Sequence, residues 1–476
     1  MTSQRHSSQF ATLPIDFLIV GGGLAGLAAA CALRRAGHRV LVLEQQQDIP
    51  KGTSASQCGG ARLPPNATKV LEKWGLRDAL YSRGLELEHM LFLKWNSGEF
   101  LGTHIWSEEA LKAFGGRFLY IPHSDLREVL YKGAKDFGAR IRTGAVVESI
   151  DADQRTVTLR GGEVLTADVI LGADGPFGLS RQTILDSEPA QRRPMGFMMF
   201  SATVPVESLK ADSELHHFIL DQQDPNKLHL WMGHKNSIFF FPITNDKSLY
   251  AIHYIRKDDG IPGTWPGDRN TSIDLTKIVG DCEPRLRKLV SIAQNVVRVR
   301  PNDYNQLDNW VHESQRLLLI GEAAHPHAPG AMQNYAMTIE DGAVLGKLFS
   351  HLRNEDQIGS FLWALEDIRQ ARCVESVEEE VGLFDFLTQP DGPAQEARDQ
   401  SFRDKAASGD TDTTQGENEA ARQWEELRKV YDYDCEDEAD EWWVKWGLLR
   451  ERAKGRSMFN TTPRGPSSLS SSPHVV

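Results

Sequence analysis

At 476 residues the chain is long enough for two or three domains around a large buried core. Its formal charge of -13 argues against nucleic acid as a partner. No apolar run approaches the roughly 18 residues that a spanning helix needs.

The opening "MTSQRHSSQFATLP" is polar and lacks an apolar h-region, so it reads as a frayed tail rather than a secretory signal. "IDFLIV" (15–20) reads as a buried strand. "LAGLAAACALRRAG" then reads as a helix, with Leu24, Leu27, Ala28 and Cys31 on one face and Gly37 as its stop. "HRVLVLE" is a second strand ending at Glu44, which makes a βαβ opening and predicts a parallel sheet. Residues 124–138 form a predicted helix with Ser124 as N-cap. Strand-like alternation follows and ends in "DVILGADG".

From 183 to 295 Phe, Met, Trp and His become frequent. The alternation there predicts an antiparallel sheet with one covered face. "QRLLLIG" (315–321) returns to a buried strand, and a helix is expected over 333–353. Residues 389–422 are polar and read as a mobile linker or insertion. A Trp-rich helical segment (Trp424, Trp442, Trp443, Trp446) and a disordered tail complete the chain. Residues 425–441 carry nine acids against Arg428 and Lys429, which reads as a solvated helix face. The five cysteines, Cys31, Cys58, Cys282, Cys373 and Cys435, include no CxxC. A reducing compartment, the cytoplasm, is the expected setting.

Three stretches carry chemistry. Gly21-Gly22-Gly23-Leu24-Ala25-Gly26 is a GxGxxG between strand and helix. Gly21 permits the tight turn, Gly23 lets backbone approach a pyrophosphate, and Gly26 lets helix and strand pack closely. Glu44 lies 18 residues past Gly26, where a carboxylate can accept from ribose hydroxyls. A dinucleotide is implied, either NAD(P) or FAD. The stretches "ADVILGADGPFGLSR" (167–181) and "LLLIGEAAHPHAP" (317–329) each follow a buried strand, and they separate the two.

The order GxGxxG, Glu44, "GADG", "GEAAHP" and "IEDGAVLG", with "GGARLPPNATKVLEKWGL" at 59–76, resembles the class A flavoprotein monooxygenases, the salicylate-hydroxylase-like group. The likeness covers about residues 15–375. It implies an α/β fold, in which an inserted antiparallel-sheet substrate domain (183–295) splits a Rossmann-like FAD-binding domain (1–182 and 296–375). A helical C-terminal region (376–476) follows. It also implies roles for residues. Gly21, Gly23 and Gly26 match the FAD pyrophosphate turn and Glu44 the ribose ligand. Gly60 and Arg62 match the segment beside the flavin chain, His123 an Arg placed against FAD, and Asp174 and Gly175 a pair touching the FAD chain. Glu322 matches an Asp bonded to the ribityl chain, Pro329 the proline beside the ring, and Met332 to Tyr335 the turn facing N1 and the C2 carbonyl.

The resemblance further implies that NAD(P)H reduces the FAD without a second Rossmann domain, and no second GxGxxG occurs. O2 then gives a C4a-hydroperoxide that hydroxylates an aromatic or polyketide-like substrate in specialised metabolism. An epoxidase or dehydrogenase on the same flavin is the alternative, as is a non-catalytic flavin-binding accessory protein. A soluble monomer or homodimer acting on a small molecule is expected.

Several residues depart from the family pattern. Met332-Gln333-Asn334 replaces Gly-Gln-Gly, and Asn334 is the residue best able to take a left-handed conformation there. Ser201 and Phe241 stand where relatives have Arg and Tyr. Phe197, Met199, Phe239 and Phe241 are either core or the wall of a pocket for a less polar substrate. His216, His217, His229, His234 and His253 are possible bases by residue type. His234 and His327 are the named catalytic candidates, and His325 is read as structural. No metal is expected, because His325 and His327 have no acid or Cys at ligand spacing nearby.

Overall fold

The computed structural model describes residues 10–47, 59–87, 89–185, 192–222, 226–258, 260, 273–299, 301–304, 307–327, 330–408 and 417–447. Helices used below are α1 (Leu24–Arg35), α2 (Pro65–Lys73), α3 (His123–Asp136), α4 (Asn334–Ser350), α5 (Ile358–Leu387), α6 (Pro393–Ser408), α7 (Glu417–Tyr431) and α8 (Cys435–Trp442).

The parallel sheet predicted from the βαβ opening is present. Its five strands run in the order Leu317–Leu319, Val169–Gly172, Asp16–Val20, Arg39–Glu44, Arg140–Thr143, and every pairing is parallel. The strand ends of 16–20, 169–172 and 317–319 therefore lie side by side. Each is followed by one of the three motif loops. That is where an open parallel sheet places its ligand crevice.

Helix α1 is alanine-rich, and α4 packs on it closely. A Cβ on Gly342 would meet the backbone of Ala28 and Ala29 at 2.8 Å, and one on Gly346 would meet the Ala32 Cβ at 2.6 Å. The glycines of "IEDGAVLG" thus serve helix contact. Helix α3 starts one residue earlier than expected, at His123. Pro122 holds the cap position, and no side chain caps the helix.

The second sheet has seven strands, ordered Gln294–Val299, Phe197–Pro205, Leu249–Lys257, Asn236–Pro242, Lys227–Gly233, His89–Lys94, Phe100–Ile105. Its pairings are antiparallel except for Lys227–Gly233 on His89–Lys94. The expected single covered face is replaced by two. Met198, Phe200, Ala202 and Val204 pack one way, with Leu275, Leu286 and Leu289 from short helices. Phe197 and Met199 pack the other way, with Phe239, Phe241, Ala331 and Phe384.

His229 belongs to the outer of these faces. It is buried among Phe218, Trp231 and Phe240, and neither ring nitrogen has a partner. Burial lowers its pKa from 6.5 to about 3. The unfolded chain takes up this proton below pH 6.5, whereas the folded chain does not until about 3. Stability is therefore full above 6.5 and falls as pH drops, by about 1.4 kcal/mol per unit for such a group. His229→Phe should remove this component. Urea midpoints at pH 7.5 and 5 should then converge relative to the parent chain; an unchanged gap would count against it.

The stretch 389–422 differs from its linker reading, since α6 occupies Pro393–Ser408. Buried Arg398 bonds the Phe386 carbonyl at 2.9 Å and the Asp399 carboxylate at 2.8 Å, which ties α6 to the end of α5. The acid run is also more than a solvated face. Asp434 accepts from Lys73 at 2.7 Å, and Asp440 lies 2.8 Å from Lys347. The acids dock α8 on α2 and α4. The expected tail lies outside the described residues. Among the described residues no helix is long and apolar enough to cross a membrane, and Cys31, Cys282, Cys373 and Cys435 are free thiols.

Candidate active site

The glycine turn is shaped as its spacing requires. Gly21 has φ +110°, and a Cβ there would lie 2.3 Å from the Ala173 carbonyl oxygen. A Cβ on Gly26 would lie 2.0 Å from the Gly21 carbonyl oxygen. Both positions are closed by the protein itself. Gly23 differs, because its Cβ would meet nothing within 4 Å among the described residues. It is the N-cap of α1 and makes no side-chain cap, so the first N–H groups of α1 are not capped by it.

Glu44 ends its strand beside this turn. Its carboxylate accepts from Gly22 N at 3.1 Å and Gln46 N at 2.8 Å, and it pairs with Arg127 at 2.8 Å. Arg127, on α3, also bonds the Gly22 carbonyl at 3.0 Å. The acid is locked in place, yet its oxygens keep acceptor capacity. Asp174 Oδ2 accepts from Ser180 N at 3.0 Å, while buried Oδ1 has no partner. Burial raises its pKa, and hydrogen bonds from Ser180 oppose the rise. Gly175 follows at φ +82°.

The loop after the third strand hangs on a buried ionic network. Arg369 of α5 donates to Asp341 at 2.9 Å and to Glu340 at 2.5 Å, and all three are fully buried. Asp341 also accepts from Gly321 N at 2.8 Å and contacts His325 Nε2 at 2.5 Å. The Asp341 charge outweighs the desolvation of His325 and holds its pKa near 10, which makes it an imidazolium. His325, Asp341 and Cys373 bring ligand atoms within 4.8 Å of one another. The acid and thiol that sequence spacing did not supply thus arrive from distant helices. Arg369 already provides the cation there: it bonds Asp341 and reaches Cys373 Sγ at 3.8 Å.

Glu322 sits in the turn Gly321–Ala323, and desolvation raises its pKa to about 7 against the His325 charge and an Asn334 hydrogen bond. His327 is buried, with Nδ1 2.9 Å from the His325 carbonyl and Nε2 unpartnered; burial and the His325 charge lower its pKa to about 3. His123 stands 5.9 Å from the Tyr335 ring, and desolvation lowers its pKa to about 4. Pro329 lies outside the described residues.

Asn334 is helical rather than left-handed, and neither it nor Met332 has positive φ. The turn runs in ordinary backbone conformation, which is why glycine is dispensable here. Asn66 of α2 fixes it by donating to Gln333 Oε1 at 2.9 Å and Glu340 Oε1 at 2.7 Å.

The seven-stranded sheet supplies the opposite wall. Arg62, buried, donates to the Gly330 carbonyl and stands 5.1 Å over the Phe239 ring, and its Nε has no partner. His253 lies across from Ser201 in register. Its buried Nδ1 has no partner among the described residues and faces Gly330, whose Cβ would come within 3.3 Å. Burial and the Arg62 charge lower its pKa to about 3. Phe241 meets the His253 ring edge-on at 5.2 Å and Tyr120 at 5.1 Å. Gly60 packs against this wall, with a Cβ 2.6 Å from Ile243 Cγ2.

His234 is not part of this arrangement. It is exposed at the turn after Gly233 and pairs with Asp391 at 3.4 Å. His216 and His217 pair with Asp221 at 3.5 and 3.4 Å. Sequence reasoning passed over Asn66, Arg127 and Glu380, whose partners lie on other elements. For Arg127 alone a signal existed, namely its place on the helix facing the glycine turn.

These residues accommodate FAD. There is open space at a helix N-terminus, an ordered acid beside it, and buried unpartnered polar atoms on Arg62, Asp174 and Gln333. The FAD binding domain family matches residues 15–379. FAD-dependent monooxygenase OpS4 of Beauveria bassiana is 28% identical over 416 residues, 86% of this chain and 92% of that protein. Asperlicin C monooxygenase of Petromyces alliaceus is 29% identical over 384 residues, 78% of this chain and 79% of that protein. The solved structure of CtdE with FAD and a substrate aligns at TM-score 0.74 and 19% identity, covering 92% of this chain and all of that one. With three quarters of its length matched, the chain belongs to the FAD binding domain family, as a class A FAD-dependent monooxygenase.

Proposed function

We propose that this chain uses NAD(P)H and O2 to hydroxylate an aromatic or polyketide-like small molecule held between the seven-stranded sheet and the 321–335 loop. The observation that carries the reading is the unpartnered His253 Nδ1, buried in an aromatic wall and turned toward Gly330. A buried polar atom without a partner in an otherwise packed site is suited to a ligand group. The relatives' names, asperlicin C monooxygenase among them, support a specialised-metabolite substrate.

Gly23 and the α1 N-terminus would take the pyrophosphate, and Glu44 the ribose. Asp174, Gly175 and Glu322 would take the connecting chain, and Asn334 and Tyr335 the ring. When bound, FAD supplies two-electron exchange with NAD(P)H and activation of O2. The chain's own work is to orient and to exclude water. Phe239, Phe241, Met199 and Tyr120 make a dry wall. With a pKa near 3, His253 is neutral at working pH. It positions a substrate hydroxyl or carbonyl by one hydrogen bond and is too weak a base to deprotonate a phenol. Free thiols support a cytoplasmic setting, and the enzyme works as a monomer or homodimer.

Purified protein supplied with FAD should show NAD(P)H oxidation stimulated by a member of a phenol and polyketide panel, with a product gaining one oxygen. Loss of two hydrogens would instead mark a dehydrogenase. His253→Phe should raise KM about 5- to 100-fold, the range for leaving one buried hydrogen-bonding group unmatched. It should also lower the share of NAD(P)H turned into product. Unchanged KM and coupling would remove His253 from the site.

A further inference from the structure

The N–H at the cap position of α4, on Gln333, and the one before it, on Met332, are already engaged by an anion of this same chain. Glu380, on α5, is 6% exposed. Its Oε1 accepts from Gln333 N at 2.9 Å, and Met332 N donates to the same carboxylate. Its Oε2 is buried with no partner among the described residues, as is Gln333 Nε2. Arg62 from strand Gly60–Leu63, Tyr431 from α7 and Glu379 from its own helix face it. Burial raises its pKa, while Arg62 and the two N–H groups oppose the rise. A water-sized cleft of about 10 Å³, lined by Gln333, Arg372, Ser376, Glu379 and Lys429 among others, lies against its neighbours Gln333 and Glu379.

A helix N-terminus favours negative charge, and two anions on one such end compete. This argument rests on the cofactor reading above, in which the same turn faces the flavin ring. We propose that Glu380 is a positioning residue that sets how much negative charge the start of α4 takes from the flavin, and that it binds a proton when the flavin is reduced. The balance is simple. A hydride from the nicotinamide brings two electrons and one proton to the ring, which gains one negative charge. One solvent proton goes to the Glu380 carboxylate and cancels that charge. No bond within the chain breaks.

The test is the flavin midpoint potential of the FAD-loaded protein, measured by dye equilibration from pH 6 to 8. Glu380→Gln keeps the size and the acceptor oxygen but does not titrate. The parent should change its reduction equilibrium about 100-fold per pH unit, about 59 mV, and Glu380→Gln about tenfold, about 30 mV. Glu380→Asp should keep the steeper slope, and thermal melts confirm that both variants are folded. Equal slopes in the parent and Glu380→Gln would overturn the proposal and leave Glu380 a helix cap, with FAD binding intact. A parent chain that takes up no FAD would overturn the cofactor reading and this proposal with it.

Discussion

Arg369→Met should cost the fold about 3–5 kcal/mol, the usual loss when one partner of a buried ion network is removed. Among the described residues the guanidinium is the one group bonded to both Glu340 and Asp341, and all three side chains are fully buried. Arg372 reaches Glu340 at 2.9 Å, which leaves Asp341 with His325 as its charged partner and the Gly321 N–H as its other donor. Without Arg369, two carboxylates in a dry helix interface would share one imidazolium and one peripheral arginine. Arg369→Lys should rescue little, because a point charge cannot reproduce the fork that reaches both acids and the Met337 carbonyl. Urea unfolding followed by tryptophan fluorescence reads the loss. A midpoint within error of the parent would show that packing of α4 on α1, not the network, holds this region.

The same network sets a pH window. The folded pKa of His325 is raised to about 10 from 6.5. Its contribution is full below 6.5 and is lost as pH rises through 10. Asp341 is lowered from 3.8 to about 2, so its contribution is full above 3.8 and is lost as pH falls through 2. Both are full between pH 3.8 and 6.5, so Arg369→Met acts on the network at full strength in that window, and the His325 share has begun to fall by pH 7.

The cofactor half of the fold was legible because its signals are local. Strand, glycine turn, helix and strand follow one another within 30 residues, and the two later motifs each follow their own strand. What escaped the sequence was made by distance. Asp341 and Cys373 reach His325 only because α4 and α5 fold over the loop, so a search by spacing found no partner. Glu380 finds the start of α4 from 47 residues away, and nothing in its sequence neighbourhood marks it. The linker reading of 389–422 failed for a related reason. Helix α6 has few large apolar residues, and it is anchored by Arg398 through carbonyls and a neighbouring carboxylate. The outer-face burial of the second sheet was hidden because its cover comes from short helices around residues 275 and 284–291.

Gly23→Val should fold like the parent and bind FAD roughly 10- to 100-fold more weakly. The contrast among the three motif glycines makes this informative. At Gly21 and Gly26 an added Cβ would strike backbone oxygens at 2.3 and 2.0 Å, so substitution there damages the turn whether or not a ligand exists. At Gly23 nothing among the described residues lies within 4 Å of the added carbon, and the backbone is extended at φ -77° and ψ -172°. A β-branched residue takes that conformation without strain. A loss of binding with the fold unchanged would then point to a ligand that needs the space. A pyrophosphate approaching the first turn of α1 needs it, and overpacking by a few methyl groups costs about 1–3 kcal/mol, close to the stated loss in affinity. Flavin fluorescence titration measures the binding, and a thermal melt without FAD measures the fold. Weakened binding with an unchanged melt places the ligand over Gly23. Unchanged binding would move the pyrophosphate off the start of α1, and with it the roles given to Glu44 and Asp174.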